Sequence, residues 1–188
     1  LKKKMIRSFE SKYYAAYLKD SEKIKKSTSG GIFQGIVEKF ISFNDNYAIV
    51  GCIFDENFVA KHVCIENREN IYKLYGSKYV QSDTRKIYSI VKRKLSEGKK
   101  VIFSGTPCQI QGLYSYLDDN QYDNLYTVDL ICHGVPSPLL FKKYKEWIEK
   151  NKNGKIIEYK FRSKDKNSWE LLSSYVINGK RYFKNASM

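Results

Sequence analysis

Three short stretches of the chain combine residue types that could bind or transform a small molecule. Gly105-Thr106-Pro107-Cys108 offers a glycine that permits close backbone approach, a hydroxyl, a rigid proline and a thiol. Cys132-His133-Gly134-Val135-Pro136-Ser137 repeats that design and adds an imidazole. Ser29-Gly30-Gly31 is a third such stretch, without a thiol. A loop that opens a helix presents unpaired N–H groups and partial positive charge, which favours a phosphate or a thiolate. A plain strand-to-helix reversal uses the same residue types, and the residues alone leave both readings open. Other chemistries are disfavoured. Cys132 and His133 are neighbours in sequence, whereas a thiol-protease pair meets in space, and no Asn or Gln spacing completes a triad. The Ser29–Gly31 turn lacks the lysine of a P-loop, and the chain has no GxGxxG.

The elements around these stretches decide where they stand. Residues 100–104 are a short apolar strand running into the first thiol loop, and a helix follows through Leu117. Residues 125–131 are another apolar strand, leading into the second loop and a helix from Pro138 to Lys150. Strand, loop and helix twice over implies parallel strands with both loops at their carboxyl ends, where ligands settle in open α/β sheets. Upstream, the Ser29–Gly31 turn opens a helix in which Ile32/Phe33, Ile36/Val37 and Phe40/Ile41 recur every four residues. Residues 46–54 and 58–65 read as strands joined by a turn, 69–75 as a short helix, and 87–95 as a helix stopped by Gly98. Residues 13–18 read as a short strand and 19–27 as a charged loop. Residues 155–163 and 169–184 read as antiparallel strands, with Asn178-Gly179 as a hairpin turn. The expected fold is α/β or α+β, with a mixed sheet, parallel strand-loop-helix units and a C-terminal antiparallel hairpin. Three stretches are expected: a basic lead-in over 1–12, one domain over 13–97 and another over 98–188.

Composition narrows the partners. Among 188 residues, 34 Lys and Arg face 20 Asp and Glu, a formal charge of +14. The excess is +6 in residues 1–30 and +6 in residues 142–166, while residues 31–141 are neutral. Lysine among Asn and Tyr on two flanks suits solvated surface or an acidic partner, and genomic composition bias is the bland account of it. Nucleic-acid binding is disfavoured, because a reader of phosphate needs its basic groups on one surface. No apolar run approaches the ~18–20 residues of a membrane span, and no stretch has the order of a signal peptide, so a cytoplasmic setting is expected. Cys52, Cys64, Cys108 and Cys132 lie 12, 44 and 24 positions apart. No CxxC occurs, so the chain encodes no local zinc ribbon or iron–sulfur loop. Cys52 and Cys64 sit within apolar strands and read as core. His62, alternating with lysine and apolar neighbours, reads as a strand-face residue.

The ordered set YYAAY, STSGGIF, GSKYVQS, FSGTPCQIQGL and DLICHGVPSP resembles the beta-subunit family of coenzyme F420 hydrogenases and dehydrogenases. The likeness runs from Tyr13 to Tyr144, with the FRS segment at Phe161–Ser163 and Trp169 adding to it. The resemblance implies a flavoprotein with FAD and a 4Fe-4S cluster, passing electrons between an iron–sulfur centre and a flavin or deazaflavin acceptor. Ser29, Gly30, Gly31, Ser77, Lys78 and Gln81 match segments expected near the flavin. Gly105, Thr106, Pro107 and Gln109 belong to the GTPCQ motif, and Asp129, His133 and Gly134 to the second one; all are expected to line the cofactor. Cys108 and Cys132 match as cluster ligands. The family's cysteine-rich ferredoxin-like segment before YYAAY is absent, as is its later CxxC-like stretch. The cluster is therefore not completable from this chain alone, and a redox partner or ferredoxin-like segment is implied. Since Leu1 opens the chain and its end breaks off in a strand-like segment, it is read as part of a longer protein. The alternative is a non-catalytic relative that acts as a scaffold or partner in polysaccharide biosynthesis.

Overall fold

The structure, a computed structural model, describes residues 11–165 and 172–185. Its first sheet contains β1 (Tyr47–Phe54), β2 (Ala60–Ile65), β3 (Lys100–Gly105) and β4 (Leu125–Asp129), in the order β2-β1-β3-β4. β1 and β2 are an antiparallel hairpin, whereas β1 with β3 and β3 with β4 run parallel. β3 is central and buried on both faces, as its unbroken Val-Ile-Phe run requires. The sheet draws strands from both sides of residue 98.

Alternation along the strands separates two cores. Ala48, Val50, Val101 and Phe103 face α3 (Ile87–Ser96) and α4 (Pro107–Tyr116). Ile49 and Ile102 face α2 (Ile32–Ser42) and a 3-10 helix, Arg68–Leu74. In each apolar pair of α2, one member turns inward: Val37 and Ile41 are buried on the sheet. Ile32 and Ile36 remain exposed on the outer flank, so the apolar stripe is wider than the sheet needs.

The second sheet holds β5 (Ile156–Lys160), β6 (Leu172–Ile177) and β7 (Lys180–Asn185), antiparallel in the order β5-β6-β7. Asn178 and Gly179 close its hairpin with φ of 49° and 72°, the left-handed pair that a two-residue turn demands. α5 (Pro138–Lys152) covers this sheet through Ile148, which meets Ile156, Tyr175 and Ile177. Buried Glu149 ties helix to strand, accepting from the Lys145 and Lys155 ammoniums and from the Ile156 N–H.

The fold is mixed α/β, as the sequence implied. Three local readings are corrected. Residues 13–18 pair with no strand; they run as irregular chain whose Leu18 N–H donates to the Gly30 carbonyl at 2.8 Å. Residues 19–27 are not simply a loop, because Ser21–Lys26 is a helical turn, α1. The Asp20 carboxylate caps it by accepting from the Glu22 and Lys23 N–H groups, and lysines in its last turn complement the helix dipole. β4 ends at Asp129, short of the expected Ile131. The lead-in up to residue 10 and Trp169 lie outside the described residues.

Candidate functional site

β3 and β4 end together. Gly105 and Asp129 are register partners, and the Leu130 N–H donates to the Gly105 carbonyl at 3.0 Å just beyond them. Cys108 and Cys132 each stand three positions past that pair, on the neighbouring segments that follow β3 and β4, and both thiols are exposed. Cys108 lies in the first turn of α4, behind Thr106 as N-cap and Pro107 at the first helical position, the placement proline tolerates best. The Thr106 hydroxyl is 3.2 Å from the Cys108 sulfur, and the Gly134 N–H donates to the Cys132 sulfur at 3.3 Å. Gly134 adopts φ 110°, a conformation that favours glycine. Every residue from Asp129 to Leu140 is exposed, His133 included, and Ile131 is 92% exposed. Ser137 then caps α5 by accepting from the Leu140 N–H.

The other motifs are tied to these loops. The Gln81 N–H donates to the Pro136 carbonyl at 3.2 Å, joining GSKYVQS to the Cys132 loop. The Ser77 N–H donates to the Thr28 hydroxyl at 2.8 Å, joining GSKYVQS to the Ser29–Gly31 turn. A cleft of about 520 Å³ opens beside GSKYVQS and the Cys132 loop, lined by Phe58, Val80, Pro138 and Phe141, with Lys142 and Lys145 at its rim.

A partly buried relay joins GSKYVQS to the turn that carries Cys108. The His62 Nε2 lies 3.0 Å from the Ser104 carbonyl, which can only accept, so Nε2 carries the proton. The neutral ring then accepts at Nδ1 from the Ser82 hydroxyl, 3.0 Å away. The Ser82 oxygen accepts from the Gln109 amide at 2.8 Å, and the Gln109 carbonyl oxygen accepts from the Thr106 N–H at 3.1 Å. Burial holds His62 below the ordinary histidine range, despite the opposing pull of the Ser104 carbonyl. Burial also raises the Cys52 thiol, against the Lys78 charge and the Ser82 hydroxyl, and pushes Cys64 up to about 11. Sequence reasoning put His62 on a strand face without this role. Ser82 closes the GSKYVQS segment and Thr28 sits in STSGG, so motif membership was the available signal for both.

Several expected site residues have partners within the chain. The Lys78 ammonium donates to three carbonyls, of Lys73, Leu74 and Tyr75, and so caps the 3-10 helix; burial brings it down to about 8. The Ser29 carbonyl accepts from Lys164 at 2.6 Å. A Cβ at Gly30 would stand 3.0 Å from the Ala16 carbonyl oxygen, and one at Gly31 2.9 Å from the Leu18 side chain. The chain's own residues 16–18 occupy the space those glycines leave. Gly31 also has φ 78°, so Gly31→Ala should lower stability by about 1–2 kcal/mol through strain alone, read as a shift in urea midpoint. Gly31→Asn, which tolerates that backbone better, should cost less in the same measurement.

Among the described residues no group of three or more His, Cys, Asp or Glu is placed to hold a metal ion. Cys108 and Cys132 can offer two of the four thiolates that an iron–sulfur cluster takes. No helix of the described residues is long and apolar enough to cross a membrane.

No curated protein matches the chain. In fold it is similar to a chain of the F420-reducing NiFe hydrogenase complex from Methanosarcina barkeri, solved as a xenon derivative. The TM-score is 0.58 at 21% identity, over 90% of this chain and 58% of that one. Residues 98–182 match the family model that describes the C terminus of the coenzyme F420 hydrogenase/dehydrogenase beta subunit. That stretch contains β3, β4 and both thiol loops, and across it the chain is similar to the coenzyme F420 hydrogenase/dehydrogenase beta-subunit family.

Proposed function

We propose that the chain is most of a flavin-dependent electron-transfer module, which binds FAD and contributes ligands to a 4Fe-4S cluster. The observation that carries this reading is the placement of two exposed thiols, one in the first turn of α4 and one on the loop after β4, each three residues past one register pair at the carboxyl ends of parallel strands. Cys108 and Cys132 would hold one side of the cluster. The remaining ligands would come from a redox partner or a ferredoxin-like segment meeting the exposed Asp129–Leu140 run. The cleft beside Val80 and Pro138 suits a flat apolar ring system, with Lys142 and Lys145 at its rim, each already facing a carboxylate, Glu146 and Glu149. A flavin, when bound, supplies the conversion between a two-electron hydride and single electrons. The residues of this chain position, desolvate and hold charge. No protein acid or base is assigned.

The test is purification without oxygen, in the presence of the redox partner. A flavin absorbance band and near-stoichiometric iron and sulfide are expected. Cys108→Ala and Cys132→Ala should each remove the iron and leave the far-UV circular dichroism unchanged. Iron retained in both variants would overturn the ligand assignment. Absence of flavin and iron alike would favour the non-catalytic scaffold.

A further inference from the structure

We propose that the open edge of β4, with the groove beside it, is a strand-pairing site for an extended, acidic segment of a partner protein. The hydrogen bonds at the two ends of the β3–β4 ladder fix which backbone groups are free. The Val101 N–H donates to Asn124 and the Leu130 N–H to Gly105, so even-numbered residues of β4 turn their backbone toward β3. Thr127 and Asp129 therefore turn theirs outward. Among the described residues nothing pairs with that edge.

Two other sheet edges, β2 and β7, are protected. β2 is closed by Asp83, whose carbonyl accepts from His62 N–H and whose N–H donates to Ala60. β7 carries Lys180, Arg181 and Lys184, the charges that discourage pairing. β4 reads Leu-Tyr-Thr-Val-Asp, with no lysine, no proline and an unbroken register. Its composition invites a neighbour.

Beside the edge, α2 leaves a groove of about 710 Å³, bounded by Ile32, Ile36, Phe40, Phe43 and Tyr126. Phe43 is 70% exposed, and Phe40 meets Tyr126 edge to face at 5.3 Å. Every second side chain of an added strand would fall on this apolar stripe. The charged residues lining the groove are Lys39 and Lys100, with no carboxylate among them. A second copy of this chain would set lysine against lysine, whereas an acidic segment complements both.

A dye-labelled, capped peptide alternating valine and glutamate is the probe, titrated into the 188-residue chain by fluorescence anisotropy. Binding is expected, and Thr127→Pro should weaken it about tenfold, the worth of one good hydrogen bond. That proline removes an outward N–H and spares the β3 ladder. Phe43→Ser leaves β4 untouched and should weaken binding as well, and so should Lys39→Glu combined with Lys100→Glu. A valine–lysine peptide should not bind. The proposal falls if the acidic peptide does not bind, if both Thr127→Pro and Phe43→Ser bind it as the parent does, if the lysine peptide binds equally, or if the chain dimerises through this edge.

Discussion

Replacing Phe103 with alanine should lower the stability of the chain by about 3–5 kcal/mol, the range for emptying a fully packed aromatic site. Phe103 is fully buried in the central strand and belongs to the core under α3 and α4. Its ring stacks on His62 at 5.5 Å and leans on Tyr88 at 6.1 Å. It also stands beneath the first thiol loop: a Cβ at Gly105 would lie 3.0 Å from its ring edge. Helices on one side and the sheet on the other keep the site from collapsing, so the cavity term adds to the lost transfer energy. Such a loss is a large share of the ~5–15 kcal/mol that a domain usually has. Urea unfolding followed by circular dichroism is the measurement. Phe103→Leu, which refills most of the volume, should cost less than half as much. Near-equal midpoints for parent and Phe103→Ala would mean that the core closes around the gap and that Phe103 is not held in a rigid site.

What was legible in the sequence divides by the range of the interaction. β3 and β4, the two thiol loops and the Asn178-Gly179 hairpin announce themselves through local chemistry: apolar runs, Gly and Pro at strand ends, and a left-handed pair at a tight turn. α2 was legible too, although its paired apolar residues gave no sign that Ile32 and Ile36 face away from the sheet. α1 was missed because charged residues hide a helix whose stability comes from the Asp20 cap and its i,i+3 pair of Glu22 with Lys25. The segment 13–18 has the composition of a strand and finds no partner strand, a non-local fact.

The same division applies to the site. Motif order placed Cys108 and Cys132 on loops, and the parallel ladder brought those loops side by side. The roles of Gly30, Gly31 and Lys78 depend on contacts that no spacing encodes. Two glycines admit residues 16–18, and one lysine is used on three carbonyls at a helix end. His62 is the strongest case. It lies 20 positions from Ser82 and 42 from Ser104, and only the fold turns it from a strand-face residue into the middle of a relay.

His62→Phe should therefore cost about 1–3 kcal/mol near neutral pH, and the cost should shrink on acidification. Phenylalanine keeps the ring against Phe103 and strands the buried Ser104 carbonyl, at about 1–2 kcal/mol, and the half-buried Ser82 hydroxyl, at less. The pH dependence follows from burial, which holds the folded-state imidazole below its ordinary value of 6.5. Between those two values the unfolded chain binds the proton and the folded chain does not, so stability rises with pH across that window. Protonation would also turn Nδ1 into a donor facing Ser82, whose oxygen already accepts from Gln109, and the serine hydroxyl would lose its acceptor. Parent stability should fall as pH drops from about 6.5, whereas His62→Phe should lose that slope. Lowered carboxylates such as Glu149 and Asp83 act below their ordinary values of 4.5 and 3.8, outside the window. Urea midpoints for both proteins at about pH 7.5 and about pH 5.5 are the measurement. Parallel slopes would show that His62 takes up its proton equally in the folded and unfolded chains. Burial would then not hold the ring neutral, and the Ser82 hydroxyl would have to give up its acceptor at Nδ1 on acidification without cost.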